Sequence, residues 1–475
     1  MTPPAGKQHQ DVIHTDDDDR SSSSVHPSAS PGGRRSVLRA GISAAVLGAT
    51  LGPGPLLAAP MLSTPEGELL ARTPGRKRVL VLGGGWGGLT AARYVREALP
   101  QVDVVLLERN PVFWSCPLSN KWLIDVVDTG FLVHDYLNPS QRHGYTFVQT
   151  EITGIDRAAR IVTTAQGRID YDWLIVSGGI RYDFEAWFGN DRKAIDHTRT
   201  QFPTAYIPSA EHMRVKRKIH AFQGGTFVMT LPPPPHRCPP SPYERACLMA
   251  WSFKQRRIPA KIVILDPKPR IAPITIGFRD AFEELYKDII EYVPNAKVQS
   301  VDPFAKSIST TAGDVKFDDA FLMTPHQAAD LVWKADLIGK TPDGKPTGWA
   351  AVDPIFYNVK DDPQVFVIGD SVGAVSPKFG HYPKSGHVAN RMAKSVAQYI
   401  AQQARGEAMK PVIIDNLCYM LVNNSPREAI SVQFDYQIGE DGVLIQKQID
   451  VNDRDEKNWQ EDLKWAALMY QDFAL

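Results

Sequence analysis

The segment from Arg78 to Glu108 constrains the fold of this chain more than any other stretch. An apolar run from Val79 to Leu82 leads into a glycine-rich turn, and apolar residues at helical spacing follow from Leu89 to Leu99. A second apolar run then ends at Glu108. Short, continuously apolar runs on either side of a helix are typical of parallel strands buried on both faces. The segment therefore predicts a strand, helix and strand unit of an α/β domain.

The turn of this unit carries Gly83, Gly85 and Gly88 at the spacing of the dinucleotide-binding fingerprint. The first glycine allows the tight turn, the second lets a pyrophosphate approach the backbone, and the third lets the helix pack closely on the strand. Glu108 lies twenty residues beyond Gly88, where an acid accepts a hydrogen bond from a ribose hydroxyl. Glycine-rich turns also arise for steric reasons alone, but strand, helix and acid in register favour dinucleotide binding.

Length and charge limit the classes of function. The chain has 475 residues, enough for two or three domains, and its 43% hydrophobic and 22% charged content is typical of a globular protein. Basic and acidic residues number 53 each, so the charge balance does not favour nucleic acid as a partner. The four cysteines are too few for a disulfide scaffold and their spacing matches no zinc site, so we predict no metal site.

Residues 1–59 have the composition of a leader. The first part, to about residue 33, is rich in Ser, Asp, His, Pro and Gly and is predicted to be disordered. The pair Arg34-Arg35 then precedes a weakly apolar stretch from Ala40 to Leu51, which resembles a twin-arginine export signal cleaved near Ala59. The alternative is a basic pair beside a low-complexity linker. We expect a periplasmic mature chain with no transmembrane segment, since no later stretch reaches about 18 apolar residues.

A second unit of the same type begins near Thr226. Runs from Thr226 to Leu231 and from Ala260 to Asp266 flank a predicted helix from Tyr243 to Arg256. Its turn is rich in proline from Pro232 to Pro240 and cannot present a row of backbone N–H groups to a pyrophosphate. We therefore predict that no nicotinamide cofactor binds there. The prolines alternatively serve only to stiffen a surface loop.

From about Lys77 to Leu475 the chain resembles the flavoprotein subunit of flavocytochrome c sulfide dehydrogenase, which is similar to sulfide:quinone oxidoreductases and to glutathione reductase-like flavoproteins. The resemblance depends on the order and spacing of five short motifs: Trp114-Ser-Cys116-Pro-Leu-Ser-Asn120, His236-Arg-Cys238-Pro-Pro-Ser-Pro-Tyr-Glu244-Arg-Ala246, Gly369-Asp370, Pro383-Lys-Ser-Gly386 and Asn416-Leu-Cys418-Tyr419.

The resemblance implies an α/β fold with two Rossmann-like dinucleotide-binding domains, the second inserted in the first, and a small α+β C-terminal domain. The predicted boundaries are 76–187 and 334–405 for an FAD-binding domain, 188–333 for the second Rossmann-like domain, and 410–475 for the C-terminal domain.

The cofactor implied by the resemblance is FAD. Asp370, at the end of an apolar strand, matches the acid that such flavoproteins orient toward the ribityl chain, and a helix after Pro383 is expected to begin under the flavin ring, where its dipole stabilises negative charge. Cys116 matches a cysteine that is joined to the flavin 8α-methyl group by a thioether. The alternative for Cys116 is a buried free cysteine.

The family also carries a redox disulfide beside the flavin, and Cys238 matches one half of it. The other half is expected in a Gly-Trp-Cys-Pro-Val-Asp segment, but this chain has Gly348-Trp-Ala350 there. Ala350 removes that sulfur, which leaves sulfide oxidation by the family route in question. Cys247 and Cys418 remain candidate partners for Cys238.

Three residues are predicted to be catalytic: Cys238, Glu244 and Lys384. A Cys238 thiolate, with its pKa lowered by nearby arginines or a helix N-terminus, would attack a sulfur substrate or add to the flavin. Glu244 is either a base near the flavin or part of a capping box with Ser241. Lys384 either polarises the flavin or caps a turn.

These inferences favour a periplasmic FAD-dependent oxidoreductase that oxidises a reduced sulfur compound and passes electrons to a c-type cytochrome subunit. One alternative is a quinone-linked reductase of the sulfide:quinone type, and the other is a flavin subunit that has lost catalysis because of Ala350. The C-terminal segment from Trp459 to Phe473 places its large apolar residues on one helical face beside acidic residues, which favours a core or partner-docking helix over a membrane anchor.

Overall fold

The computed structural model describes residues 67–473, so the predicted leader and export signal at residues 1–59 lie outside the described residues. The described residues form one compact unit. Its helices are α1 (Trp86–Ala98), α2 (Ser119–Leu123), α3 (Leu137–His143), α4 (Glu185–Phe188), α5 (Arg192–Gln201), α6 (Glu211–Ala221), α7 (Ser241–Gln255), α8 (Thr275–Asp280), α9 (Asp330–Lys334), α10 (Gly386–Ala404) and α11 (Glu456–Tyr470), with shorter helical turns at Thr129–Phe131, Ala281–Leu285 and Gly369–Ser371.

The strands are β1 (Arg78–Leu82), β2 (Asp103–Glu108), β3 (Val112–Trp114), β4 (Val133–Asp135), β5 (Thr146–Gln149), β6 (Ile152–Asp156), β7 (Ile161–Thr164), β8 (Arg168–Asp170), β9 (Trp173–Val176), β10 (Ile180–Tyr182), β11 (Gly225–Thr230), β12 (Ala260–Leu265), β13 (Ile290–Val293), β14 (Val298–Asp302), β15 (Ser307–Thr310), β16 (Gly313–Lys316), β17 (Asp319–Leu322), β18 (His326–Ala328), β19 (Ile338–Lys340), β20 (Pro346–Ala350), β21 (Asn358–Val359), β22 (Asp362–Val367), β23 (Asp415–Asn424), β24 (Arg427–Ile438) and β25 (Leu444–Asp455).

The first sheet has six strands in the order β21-β22-β9-β1-β2-β5. Its five strands from β22 to β5 are parallel, with Val79 of β1 paired to Val104 of β2 on one side and to Trp173 of β9 on the other. All of β1 is buried because helices cover both faces of a parallel sheet. Helix α1 packs on β1, β2 and β9 of this sheet and also against α10. The carboxyl ends of β1 and β22 therefore open toward the same crevice.

The second sheet has four parallel strands in the order β13-β12-β11-β17. All four lie in sequence between β9 and β22 of the first sheet. The strand, helix and strand order of β11, α7 and β12 agrees with the unit predicted from the sequence. These two parallel sheets confirm the predicted fold class.

The C-terminal part of the described chain is a three-stranded antiparallel sheet, β23-β24-β25, followed by α11. The side chain of Asp455 caps α11 by accepting a hydrogen bond from the backbone N–H of Asn458 at 2.7 Å. Strand β23 packs against α7 of the second sheet, and α11 packs against β23 and β24. Ala466, Tyr470 and Phe473 are buried, so this end of the chain contributes to the core. Within residues 67–473 no helix is long and apolar enough to span a membrane.

Candidate active site: a dinucleotide cavity and an adjoining thiol cavity

The three fingerprint glycines have different steric surroundings. Gly83 has φ +98°, a left-handed conformation that favours glycine, and a Cβ there would lie 2.5 Å from the carbonyl oxygen of Ser177. A Cβ on Gly88 would lie 1.8 Å from the carbonyl oxygen of Gly83, so α1 could not pack as closely on β1. A Cβ on Gly85 would meet no atom within 4 Å. The space in front of Gly85 is therefore open to a ligand, as the fingerprint predicts.

Glu108 is fixed at the end of β2 by hydrogen bonds to its carboxylate. Oε2 accepts from the backbone N–H of Gly84 at 2.7 Å, and Oε1 accepts from the backbone N–H and the side-chain amide of Asn110 at 2.8 and 2.6 Å. Oε2 retains a lone pair for a ribose hydroxyl. Glu108 and the glycines line a cavity of about 220 Å³ that extends to Asp370. An open glycine turn and an oriented acid fit the dinucleotide part of FAD.

Asp370 follows β22 and is buried. Its Oδ2 lies 3.0 Å from Nε of Arg237, and the guanidinium of Arg237 also donates to the carbonyl oxygen of Tyr206 at 2.9 Å. Burial opposes the charge on Arg237, but the neighbouring acidic groups, among them Cys116 and Asp370, outweigh it and raise the pKa of Arg237. The ion pair joins the two Rossmann-like units across the crevice. Sequence reasoning named both residues but not their pairing.

A second cavity, of about 70 Å³, adjoins the first at Arg237, Ser385 and Gly386. We call it the thiol cavity, because three cysteines line it: Cys116, Cys238 and Cys418. Glu244 and Lys384 line it as well, so the structure brings together all the residues predicted to be catalytic and the predicted flavin tether. Cys247 is fully buried within α7 and is not part of its lining.

Cys238 lies at the end of the proline-rich turn. Its backbone N–H donates to the carbonyl oxygen of Lys384 at 2.8 Å, and its φ of +49° is left-handed. Burial raises the pKa of its thiol, Cys418 and Glu244 raise it further, and Arg237 lowers it too little to compensate. The condition set for an activated Cys238 thiolate, a pKa lowered by nearby arginines or a helix N-terminus, is therefore not met in this arrangement, because a buried sulfur anion loses its solvation.

Glu244 points from the first turn of α7 into a buried polar cluster. Its Oε1 accepts from Nζ of Lys121 and from the backbone N–H of Leu421, both at 3.0 Å, and its Oε2 accepts from Asn120 at 2.8 Å. The predicted capping box with Ser241 is not formed, since α7 has no side-chain cap hydrogen bond. The carboxylate instead joins α7 to α2 and β23.

Lys121 also lies 2.6 Å from Oδ2 of Asp462 in α11, and both side chains are almost fully buried, at 2% and 1% exposure. Burial raises the pKa of Asp462 to about 6, although Lys121 acts to lower it. For Lys121 burial acts against the charge, but Asp462 and Glu244 prevail and raise its pKa. Neither Lys121 nor Asp462 was predicted from the sequence. The only local indication is a lysine directly after the Trp114–Asn120 motif.

Lys384 is buried beneath the turn that carries Asp370. Its Nζ donates to the backbone carbonyl oxygens of Asp370 and Val372, each at 2.8 Å, and lies 3.8 Å from the centre of the Trp349 ring. Burial lowers the pKa of Lys384 to about 7, and Asp370 offsets only part of that effect. Lys384 thus holds the turn, which was one of the two roles predicted for it. It can also give up a proton near neutral pH.

Ala350, where the resemblance expects a cysteine, is buried at the end of β20. Its carbonyl oxygen accepts from the backbone N–H of Gly373 at 2.9 Å, beside the turn that Lys384 holds. Position 350 therefore borders the turn that Lys384 holds, and it supplies no sulfur.

Asp266, directly after β12, occupies the position at which an acid would bind the ribose of a nicotinamide cofactor in the second sheet. Its carboxylate is fully buried and binds the hydroxyls of Tyr243 and Tyr292 at 2.5 and 3.0 Å and Nζ of Lys268 at 2.9 Å. Protein groups thus satisfy the carboxylate that would otherwise face a ribose. This geometry supports the prediction, made from the proline-rich turn, that nicotinamide cofactor does not bind there.

Comparison with known proteins gives two family matches. Residues 77–211 match the pyridine nucleotide-disulphide oxidoreductase family, and residues 213–323 match the central part of the sulfide dehydrogenase (flavocytochrome c) flavoprotein chain.

Among curated proteins, the chain is 23% identical over 354 residues to the sulfide-quinone reductase of Aquifex aeolicus, covering 70% of this chain and 78% of that protein. It is also 23% identical over 319 residues to the mitochondrial sulfide:quinone oxidoreductase of Mus musculus, covering 63% and 66%. The crystal structure of the Aquifex aeolicus sulfide:quinone oxidoreductase shares the fold with a TM-score of 0.63 and 19% identity, covering 82% of this chain and 90% of that one.

These matches confirm the resemblance predicted from the motifs and the predicted class of enzyme. The chain is an oxidoreductase that is similar to sulfide:quinone oxidoreductases, to the pyridine nucleotide-disulphide oxidoreductase family over residues 77–211 and to the flavoprotein chain of flavocytochrome c sulfide dehydrogenase over residues 213–323.

Proposed function

We propose that this protein is a periplasmic FAD-dependent oxidoreductase that oxidises a small reduced sulfur compound and passes the electrons to a separate c-type cytochrome. The observation that carries the proposal is the thiol cavity, which adjoins the dinucleotide cavity at the N-terminus of α10. A cavity of about 70 Å³ suits a substrate of a few atoms, such as sulfide. The match of residues 213–323 to a sulfide dehydrogenase flavoprotein supports the choice of substrate and of partner.

FAD would be held by Gly83, Gly85, Gly88, Glu108 and Asp370, and when bound it supplies an acceptor for an electron pair. The chain's own residues prepare its surroundings. Ser385 caps α10 by accepting from the backbone N–H of Val388 at 3.2 Å, which directs the positive end of the helix dipole at the junction of the two cavities. A negative charge there is stabilised. Lys384, with its pKa near 7, is placed to hold or release a proton at Nζ.

The proposal of export depends on Arg34-Arg35 and the apolar stretch after them, which lie outside the residues that the structure describes. A twin-arginine pathway carries folded proteins and suits a flavoprotein that is loaded before export. A c-type cytochrome would then meet the protein in the periplasm.

The covalent tether is part of the proposal. If Cys116 holds the 8α-methyl carbon, flavin should stay with the polypeptide after acid precipitation, and Cys116→Ser should release it to the supernatant. Cys247→Ser is the matched control, since Cys247 lies outside the thiol cavity, and its flavin should stay attached. Full recovery of flavin in the supernatant of the unmodified protein would reject the tether and leave noncovalent binding by the glycine turn intact.

The electron acceptor separates the proposal from the quinone-linked alternative, which the names of the curated relatives favour. After anaerobic reduction by sulfide, the flavin should be reoxidised rapidly by a c-type cytochrome and slowly by a soluble ubiquinone analogue. Stopped-flow absorbance measures both rates. Faster reoxidation by the quinone would favour a sulfide:quinone-type reductase instead.

A further inference from the structure

Cys238 lacks the sulfur partner that the family resemblance expects at position 350, but another cysteine borders the same cavity. Cys418 lies on β23 of the C-terminal sheet and lines the thiol cavity together with Cys238. The two residues also share the wall of a smaller, apolar cavity of about 50 Å³, which Pro240 and Phe434 help to line. Cys238 and Cys418 therefore border the same two spaces.

Cys418 is linked to the junction of the two cavities through Asn416. Its Sγ lies 3.6 Å from the side-chain amide of Asn416, and Oδ1 of Asn416 accepts from the hydroxyl of Ser385 at 3.0 Å. Ser385 is the N-cap of α10 and lies where the dinucleotide and thiol cavities join. Cys418 is thus fixed to the same junction at which a flavin would meet the substrate.

We propose that Cys238 and Cys418 are the redox-active pair of this protein, a disulfide that forms and opens during turnover in place of the bridge lost at Ala350. This inference rests on the proposed function for its substrate and for its electron acceptor. It assigns a catalytic role to Cys418, a residue that the C-terminal domain contributes.

The electrostatics of the cavity fit this role. Burial raises the pKa of Cys418 to about 12 and also raises the pKa of Cys238, with Cys418 the next largest contribution after burial. Both sulfurs are therefore poor thiolates near neutral pH. A disulfide carries no charge and is not penalised by burial, so the pair acts best as an electrophile that awaits an incoming anion.

The chemistry balances with two sulfide ions. One HS⁻ attacks a sulfur of the Cys238–Cys418 bridge, which breaks the S–S bond, forms a persulfide on that cysteine and frees the other as a thiolate. A second HS⁻ attacks the outer sulfur and leaves as HSS⁻, with one thiol and one thiolate remaining on the protein. These two would re-form the bridge by giving two electrons to a bound flavin and releasing one proton.

The bridge itself can be detected without any activity measurement. Flavin-loaded protein would be treated with diamide or with dithiothreitol, alkylated, digested and analysed by mass spectrometry. We expect a Cys238–Cys418 cross-linked peptide after oxidation that disappears on reduction. Cys418→Ala and Cys418→Ser should abolish it, and Cys247→Ser should preserve it. Absence of this peptide in the oxidised, unmodified protein would overturn the inference.

A second readout is flavin bleaching by sulfide. Cys418→Ala should lose it while retaining flavin and still being reduced by dithionite, which reports that the variant is folded and loaded. Bleaching of Cys418→Ala at the rate of the unmodified protein would overturn the pair and leave the proposed function standing. A cross-link in a protein whose flavin does not respond to sulfide would support the pair and reject the proposed function.

Discussion

Gly88→Ala is expected to abolish flavin binding and to destabilise the first sheet. The added Cβ would lie 1.8 Å from the carbonyl oxygen of Gly83, so α1 and β1 must separate. Because the nearest atom is backbone and cannot rotate away, the cost should exceed the roughly 1–3 kcal/mol of ordinary overpacking. Thermal unfolding and the ratio of flavin to protein absorbance after purification measure the two effects.

Two matched variants separate folding from binding. Gly130→Ala adds a Cβ that meets no atom within 4 Å and lies outside the dinucleotide cavity. It should therefore change neither the thermal stability nor the flavin content. Gly85→Ala also meets no protein atom, but its Cβ occupies the approach to the phosphates. It should fold normally and retain little flavin. Retention of flavin by Gly88→Ala would contradict the role assigned to the turn.

Lys121→Met should lower the free energy of unfolding by about 3–5 kcal/mol, the usual cost of removing one partner from a buried ion pair. Glu244 and Asp462 would then share a buried site without a cation between them. The ion pairs that Lys121 of α2 makes with Asp462 of α11 and Glu244 of α7 would be lost. Urea denaturation at pH 7 measures the loss.

The loss of unfolding free energy caused by Lys121→Met should become smaller as the pH falls. In the unmodified protein burial raises the pKa of Asp462 to about 6 although Lys121 acts to lower it, so removal of Lys121 should raise this pKa further. The folded variant therefore takes up a proton at a higher pH than the unmodified protein does, and the difference in stability should shrink as the pH falls from 7 toward 6. Lys378→Met is the matched control, because Lys378 and Asp441 form a half-exposed pair worth at most about 1 kcal/mol. A loss for Lys121→Met no larger than that of the control would show that the buried cluster does not stabilise the fold.

Local patterns in the sequence were sufficient to predict the first unit. The spacing of Gly83, Gly85 and Gly88 predicts their roles, because a turn and the helix after it involve only neighbouring residues. The strands and helix of the second unit followed from periodicity for the same reason, and the proline-rich turn predicted that this unit differs from a nucleotide-binding one in its local chemistry. Motifs of a known family, not periodicity, identified the residues of the thiol cavity: Cys116, Cys238, Cys418, Glu244 and Lys384.

The polar cluster and the pairing of thiols could not be predicted in this way. Lys121 and Asp462 lie on helices at opposite ends of the chain, and an ordinary lysine or aspartate carries no indication of burial. Glu244 matched a capping pattern, but its carboxylate instead accepts hydrogen bonds from Lys121 and Leu421, which are distant in sequence. From the sequence, Arg237, another nearby arginine or a helix N-terminus could each lower the pKa of Cys238. Burial, which depends on the whole fold, outweighs the charge of Arg237.

The most direct test of the central claim is anaerobic titration of the purified, flavin-loaded protein with sulfide and, separately, with NADH, followed by flavin absorbance. We predict that sulfide bleaches the oxidised flavin band and that NADH leaves it unchanged, since Asp266 is already satisfied by Tyr243, Tyr292 and Lys268. A flavin that stays oxidised with sulfide and is reduced by NADH would contradict the account.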